Sequence, residues 1–264
     1  MLREMTSLLA LALLPSPPAA RAESASDVAL GDAAYARFDN GSALRHYQAA
    51  ALAFPDDAEA RWRLARAHAD VGQALEATDQ DAAREHYRRG EEEARKAVEL
   101  DPRSANAHFF VAVCVGRMAL FEGGKTKIRL SQVVRTEAER AILLDPGHDG
   151  AYYVLGRWNY GIATLSWILK AFAKVIYGGV PEGATVEKAA EMFEKAIELD
   201  PARPMHHLEY ARALAKLGRY SEARIHLQQC LDLPQVQWDD PIQKAEAARM
   251  LKDLRGKKDE IERP

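Results

Sequence analysis

The sequence returns several times to one phrase, in which small and aliphatic residues precede Leu-Asp-Pro. The phrase ends at Pro102, Pro146 and Pro201, and a looser copy ends at Pro55. Self-similarity at a spacing of a few tens of residues is typical of repeat architectures, in which each unit packs only on its neighbours. A chain of 264 residues can therefore form one continuous array instead of separate globular domains.

Each copy of the phrase is typical of the second helix of a tetratricopeptide repeat, where small residues let two helices approach closely. A first-helix pattern follows each proline, at Leu64-Ala65, Val111-Ala112, Leu155-Gly156 and Tyr210-Ala211. Good helix formers are abundant, and β-branched residues never alternate over the length of a strand. The sequence therefore predicts an all-α fold, a tetratricopeptide-repeat right-handed superhelix, or α-solenoid.

The repeats are predicted at residues 24–57, 58–104, 105–148, 149–203 and 204–237. A capping helix is expected at 241–254 and a loose, charged tail at 255–264. Repeat starts at 58, 105, 149 and 204 are 47, 44 and 55 residues apart, whereas the family period is about 34. We therefore expect insertions between the two helices of each central repeat, emerging on one edge of the array.

Some strings in repeats two to five are more specific than helix periodicity. They are Gly124-Lys125 with Ile128, Gly156-Arg157-Trp158, Leu165-Ser166-Trp167, and Pro181 followed by Ala189, Phe193 and Pro201. From Ala58 to Leu233 the chain thereby resembles the regulator of microtubule dynamics family. Its eukaryotic members are associated with microtubules, and a membrane-anchored mitochondrial member binds phospholipid. The resemblance implies the fold and a ligand class, but not the cell biology, because a cleavable signal replaces the membrane anchor.

The first 22 residues have the layout of a secretory signal peptide. A basic start at Arg3 precedes an apolar stretch over residues 5–14, and Ala20-Arg21-Ala22 forms the cleavage site. That stretch is too short to cross a bilayer. We expect cleavage after Ala22, a mature protein that begins at Glu23, a periplasmic or otherwise exported location, and no transmembrane segment in the mature chain.

Charge and motifs argue against several functions. With 36 basic and 39 acidic side chains, the chain has no evident affinity for nucleic acid. No zinc-binding or nucleophile motif occurs, and Gly123-Gly124-Lys125-Thr126 lacks the first glycine of a P-loop, so an inter-helix loop is expected there. His206-His207 opens a helix with one ring expected in solvent. We predict no enzyme, cofactor or metal, and buried thiols at Cys114 and Cys230 in preference to a disulfide.

The candidate ligand-binding residues come from the first helices, which line the concave surface of tetratricopeptide arrays. Large apolar side chains occupy position 5 of repeats two to five, while cations occupy position 9 in three of these repeats and position 13 in two. The residues are Trp62, Phe109, Tyr153 and Leu208 at position 5, Arg66, Arg157 and Arg212 at position 9, and Arg117 and Lys216 at position 13. Residues i and i+4 are neighbours on a helix. The pattern predicts a groove with an apolar floor and cations above it; the alternative is packing on neighbouring repeats or on acids such as Asp70.

The segment 158–179 is predicted to extend the first helix of repeat four and to fold over the groove. Its apolar residues step by three and four positions from Trp158 to Ile176, with Trp167 on another face, so it needs cover on several sides. Lys170 and Lys174 near its middle disfavour a membrane span.

Two functions follow from these patterns. The first is a scaffold that binds a protein or peptide partner in the concave groove. The second is a carrier of an anionic phospholipid or other amphiphile, in a chamber between the groove and the inserted helix. The groove positions show fewer acids than bases, so Arg157 and Arg212 are expected to meet an anionic group, with Trp158, Trp167 and Phe172 around the apolar part.

Overall fold

The computed structural model describes residues 18–166 and 181–260, together with Lys170, Lys174 and Gly179. Secondary structure in the described residues is entirely helical. The helices are α1 (Pro18–Tyr35), α2 (Asn40–Ala53), α3 (Ala58–Leu75), α4 (Gln80–Leu100), α5 (Ala105–Phe121), α6 (Gly124–Leu144), α7 (Asp149–Ala163), α8 (Val186–Leu199), α9 (Pro204–Lys216), α10 (Tyr220–Asp232) and α11 (Asp240–Asp253).

Consecutive helices pack as hairpins, and successive hairpins stack. The pairs are α1 with α2, α3 with α4, α5 with α6, α7 with α8, and α9 with α10, while α11 covers α9 and α10. The apolar core lies inside each pair and between neighbouring pairs. The predicted all-α solenoid is confirmed.

The Leu-Asp-Pro phrase separates one pair from the next. Its aspartate is the C-cap of the second helix, with its N–H bonded to an alanine carbonyl four residues earlier, at Asp101, Asp145 and Asp200. The following proline cannot continue the helix. A new N-cap then starts the next pair, for example Ser104, whose Oγ accepts a hydrogen bond from the Ala107 N–H at 3.2 Å.

Small residues at the predicted positions let the paired helices touch. A Cβ added to Gly156 in α7 would lie 2.6 Å from Cε1 of Phe193 in α8, so only glycine fits this contact. Cys114 and Cys230 are buried and free, and the prediction of buried thiols is confirmed.

The extra residues of repeats two and three lengthen the helices, and the prediction of insertions between them is wrong there. Helices α3 and α4 have 18 and 21 residues, and α5 and α6 have 17 and 21. Only residues 76–79 and 122–123 connect them. The sequence Gly124-Lys125-Thr126 is consequently the first turn of α6, with Gly123 as N-cap, and not a loop.

The prediction that α7 continues through the inserted segment is wrong. The helix ends at Ala163, with Thr164 as C-cap. Lys170 folds back on this end, where its Nζ donates a hydrogen bond to the Ala163 carbonyl at 2.9 Å. Trp167 and Phe172 lie outside the described residues. Among the described helices, none combines the length and apolar character that a membrane span needs.

The chain after α11 packs on the molecule as far as Glu260, so the prediction of a loose tail is wrong there. The Glu260 N–H donates to the Gly218 carbonyl at 3.0 Å. The Tyr220 hydroxyl donates to Glu260 Oε1 at 2.9 Å, and the Ser221 N–H donates to Asp259 Oδ1 at 2.7 Å.

Candidate functional site

The first helices of the pairs line a concave groove, and residues 233–239, between α10 and α11, reach into it. We call these residues the groove segment. Three of its consecutive side chains each contact α1 or α3. The contacts are Gln237 Oε1 with the Tyr35 hydroxyl at 2.8 Å, the Trp238 side chain with the Asp70 carboxyl, and Asp239 Oδ2 with Gln73 Nε2 at 2.8 Å. A stretch of the protein's own chain therefore lies in the groove.

The residue that follows the groove segment holds its shape. Asp240 is 1% exposed, and its Oδ2 accepts hydrogen bonds from the N–H groups of Val236 and Gln237, both at 2.7 Å. Lys244 in α11 donates to the carbonyls of Leu231 and Leu233, at the end of α10. The bend that presents Trp238 to the groove is thus built into the chain.

The carboxyl group of Asp70 contacts Trp238 of the groove segment. Burial raises its pKa to about 7, while the Trp238 hydrogen bond and the charges of Arg66 and Arg117 oppose the rise. Its Oδ2 is buried without a hydrogen-bond partner among the described residues. Replacing the Trp238 contact therefore requires another hydrogen-bond donor.

Three of the predicted groove residues lie in the core instead, and their assignment to the groove is wrong. Trp62 is 9% exposed and stacks on Phe110 of the next pair, with ring centroids 5.8 Å apart. Trp158 is buried and donates its indole N–H to the Ser131 carbonyl at 2.7 Å. Leu208 is fully buried. These side chains stabilise the stacking of pairs.

The two other aromatic candidates are partly buried. Phe109 packs edge-on against Phe110, with centroids 4.7 Å apart. Burial raises the pKa of the Tyr153 hydroxyl. The negative charge of Asp239, in the groove segment, adds to this rise. The role of Phe109 and Tyr153 in ligand binding stays a prediction.

Arg66 and Arg117, two of the predicted groove cations, both have internal partners. Arg66 donates to the Tyr47 hydroxyl at 2.6 Å and lies 3.3 Å from Asp32 Oδ1. Arg117 donates to Gln73 Oε1 at 2.5 Å and to Glu76 Oε1 at 3.4 Å. Gln73 therefore links Arg117 to the groove segment.

Arg157 and Arg212 share one buried acid. Arg157 Nη1 lies 2.7 Å from Glu209 Oε1, and Arg212 lies 3.2 Å from Glu209 Oε2 and 2.7 Å from Glu246 Oε1. The Glu209 side chain is 4% exposed. Residues on α9 and α11 thus supply acidic partners to the two arginines that were expected to meet an anionic group, in line with the alternative of pairing with internal acids. Of the lysines, Lys216 and Lys174 are exposed.

An open cavity of about 380 Å³ lies beside the C-terminal end of the groove. Four cations and one acid line it, along with apolar side chains, namely Arg212, Lys216, Arg249, Lys257, Glu246, Met250 and Leu254 among others. No cluster of three or more potential metal ligands occurs in the part of the chain that the structure describes.

Sequence reasoning missed the residues that fill the groove. They are Tyr35, Gln73, Gln237, Trp238 and Asp239 in the segment contacts and Glu209 beneath the arginines. One signal was available, since Trp238 stands in a short non-helical stretch between Pro234 and Pro241. A tryptophan in such a stretch needs a surface that covers it.

Stacked helical hairpins around an occupied concave groove define a tetratricopeptide-repeat protein of the scaffold class. A thermophilic TPR protein from Thermus thermophilus has the same fold, with a TM-score of 0.62 and 17% identity over 86% of this chain and 99% of its own. The chain belongs to the regulator of microtubule dynamics family, whose family model (proteins 1–3) matches residues 28–255. The resemblance noted in the sequence is confirmed.

Similar members include regulator of microtubule dynamics protein 1 of Bos taurus, 32% identical over 75% of this chain and 62% of its own length. Protein 3 of Rattus norvegicus is 33% identical over 72% of this chain and 40% of its own length. Protein 2 of Mus musculus is 32% identical over 76% of this chain and 49% of its own length. The chain thus spans about half the length of these curated relatives.

Proposed function

We propose that this protein is a non-enzymatic scaffold that binds a short segment of a protein or peptide partner in its concave groove. The observation that carries the proposal is that the groove already holds a stretch of polypeptide. Side-chain hydrogen bonds from Tyr35 and Gln73 meet that stretch at 2.8 Å. Tetratricopeptide folds are binding scaffolds, and the relatives are named as regulators, so a protein partner fits both fold and family.

Site-specific photocross-linking tests the proposal. A benzophenone amino acid placed at Lys216, exposed beside the groove, should cross-link a protein partner in the native host. The matched control places it at Leu143, which is 70% exposed on second helix α6. We expect a discrete cross-linked protein from position 216 only, and its purified form should compete for the cross-link. Equal products from both positions, or none from 216, contradict groove binding.

A second candidate is an anionic phospholipid or other amphiphile, favoured by the cavity of about 380 Å³ with its excess of cations. Arg157 and Arg212 already have acidic partners. Lys216 and Lys257 would therefore bind the anionic group of the lipid, and Met250 would contact its apolar part. Sedimentation with phosphatidate vesicles, compared with phosphatidylcholine vesicles, tests it. The variant Lys216→Gln/Lys257→Gln should lose any preference for phosphatidate; equal sedimentation with both vesicle types contradicts the candidate.

We further propose that the protein is exported to the periplasm or another exterior space. Helix α1 begins at Pro18, so cleavage after Ala22 would leave residues 23–35 of that helix in the mature chain. Mass spectrometry of protein from the native host should find an N-terminus at Glu23. A recovered peptide that contains residues 5–22 contradicts this proposal.

A further inference from the structure

The groove segment makes the contacts that a bound peptide would make. Three consecutive side chains, at 237, 238 and 239, each find a different groove residue. Two of these contacts are side-chain hydrogen bonds between residues more than 160 positions apart in sequence. Residues 237–239 form a turn, in which the Asp240 N–H donates to the Gln237 carbonyl at 3.3 Å, so three consecutive side chains reach the groove from one short bend.

We propose that the groove segment is a tethered ligand, and that the protein partner binds in its place through a short turn with the same order of polar, aromatic and acidic side chains. This inference rests on the proposed function, because it names the partner chemistry and the regulation of that groove. A partner must displace the segment before it binds. The groove segment therefore competes with the partner for the groove and lowers the apparent affinity of the protein for that partner.

The chemistry of the groove explains the order of side chains. The Asp70 carboxyl needs a donor that reaches into a partly buried site, and the indole N–H of tryptophan is such a donor on a large apolar ring. The Gln73 amide donates to the next side chain, which favours a carboxylate there. Arg66 and Arg117 lie near Asp70 and add positive charge for that acidic residue.

The groove segment can leave without unfolding the array. Pro234 and Gln235 are exposed, Val236, Gln237 and Trp238 are partly buried, and Asp239 is 8% exposed. The apolar cluster of this region includes Ala247 in α11 and Leu254, its C-cap, and no residue of the segment. Release of residues 234–239 thus breaks hydrogen bonds to the groove and the Gln243–Asp239 bond at the start of α11, and removes no member of this cluster.

A peptide of residues 233–243 of this chain, labelled with fluorescein, provides a defined probe. Its binding to the full chain is measured by fluorescence anisotropy. In wild type, the tethered copy competes at an effective concentration of the order of millimolar. The Trp238→Ala protein should therefore bind the labelled peptide at least about tenfold more tightly than wild type does. Adding Gln73→Ala to that protein should reverse the gain.

Controls separate this inference from the proposed function. A scrambled peptide and a peptide with Ala at position 238 should not bind. If the Trp238→Ala protein binds the native and scrambled peptides equally, the inference is overturned, whereas a partner cross-linked at Lys216 would leave the proposed function standing. A wild-type mass in light scattering twice that of Trp238→Ala would place a second copy's segment in the groove, which also overturns it.

A measurement on wild type covers the case in which Trp238→Ala does not fold. Hydrogen exchange at the amides of residues 234–239 is followed with and without saturating unlabelled peptide. Displacement predicts faster exchange in the presence of the peptide. Peptide binding that leaves these amides unchanged overturns the inference.

Discussion

The hydroxyl of Tyr35, in the first helix of the array, donates a hydrogen bond of 2.8 Å to Gln237, 202 residues further along the chain. Both side chains are partly buried, and the bond joins the first repeat to the segment before the last helix. The two ends of the repeat array are therefore in direct contact through the groove.

Tyr35→Phe should remove this bond and lower the free energy of unfolding by about 1 kcal/mol. Urea denaturation measures the change. The matched control is Tyr220→Phe, whose hydroxyl bonds the exposed Glu260 at 2.9 Å and should matter less. An equal loss of unfolding free energy in both variants would show that the Tyr35–Gln237 bond contributes no more to stability than an exposed hydrogen bond does.

Asp70 should make stability depend on pH near neutrality. Its pKa in the folded protein, about 7, lies above the ordinary 3.8, so folding takes up a proton between these values. The free energy of unfolding should rise as pH falls from about 7 and level off near pH 4, by about 1–3 kcal/mol. Arg66 and Arg117 limit the effect, and Asp239 increases it.

The test compares Asp70→Asn with Asp56→Asn, an exposed acid just before α3. Urea titrations between pH 5.5 and 8 are expected to give a flatter profile for Asp70→Asn only. If the free energy of unfolding of Asp70→Asn depends on pH as steeply as that of wild type, a group other than Asp70 causes the dependence.

A pair of histidines should make the protein sensitive to acid. Nδ1 of His68 in α3 lies 3.0 Å from Nδ1 of His86 in α4, which requires one donor and one acceptor. Burial, with the neighbouring His86, lowers the pKa of His68 from 6.5 to about 4. Stability held above pH 6.5 should be lost as pH falls through 4, by about 1–3 kcal/mol.

His86→Gln keeps a polar partner for His68 but adds no second titrating ring. Thermal melts between pH 4 and 7 should show a smaller loss in this variant than in wild type. His46→Gln is the control, because His46 is 37% exposed and lies 3.5 Å from Asp27. If the melting temperature falls equally with pH in all three proteins, the His68–His86 pair does not cause the loss of stability in acid.

Arg212→Gln should destabilise the protein by about 1–3 kcal/mol, because it removes one of the two cations that pair with the buried Glu209. Arg88→Gln, which breaks ion pairs of a half-exposed arginine in α4, should change stability much less, because water screens exposed ion pairs. Calorimetry compares the two. If Arg212→Gln is as stable as wild type but loses phosphatidate binding, Arg212 is a ligand contact and not a structural ion pair.

Gly90→Ala should cost about 1–3 kcal/mol, because the added Cβ would lie 2.7 Å from Cys114 Sγ and 3.2 Å from the Ala65 carbonyl. Gly116→Ala provides the contrast. Its Cβ would lie 3.5 Å from Val134, an ordinary contact, and alanine is the better helix former by about 1 kcal/mol. Melting temperatures that fall equally in both variants would contradict the close approach at Gly90.

The helix pairs were predictable because helix periodicity and the Leu-Asp-Pro phrase are local signals. Gly156, which Phe193 covers, illustrates how one small residue marks a packing contact. The burial of Trp62 was not predictable in the same way. Position in a repeat places it on the concave side, but its stacking on Phe110 depends on the neighbouring pair.

The groove segment escaped prediction for a different reason. Its contacts join residues far apart in sequence, and hydrogen bonds between Trp238 and Asp70 or Asp239 and Gln73 leave no periodic pattern. His206 and His207 show the same limit. Both are buried, where His206 lies 2.8 Å from Asp149, although adjacent helix positions suggested that one ring would face solvent.

The contact between the two ends changes how this array is expected to come apart. In an open solenoid each unit interacts only with its neighbours, so terminal units fray on their own while the centre stays folded. Here the first pair is held by the groove segment, which in turn is anchored by Asp240 and Lys244 next to the last pair. Fraying at either end therefore removes a contact from the other end, so the first and last pairs are expected to lose stability together.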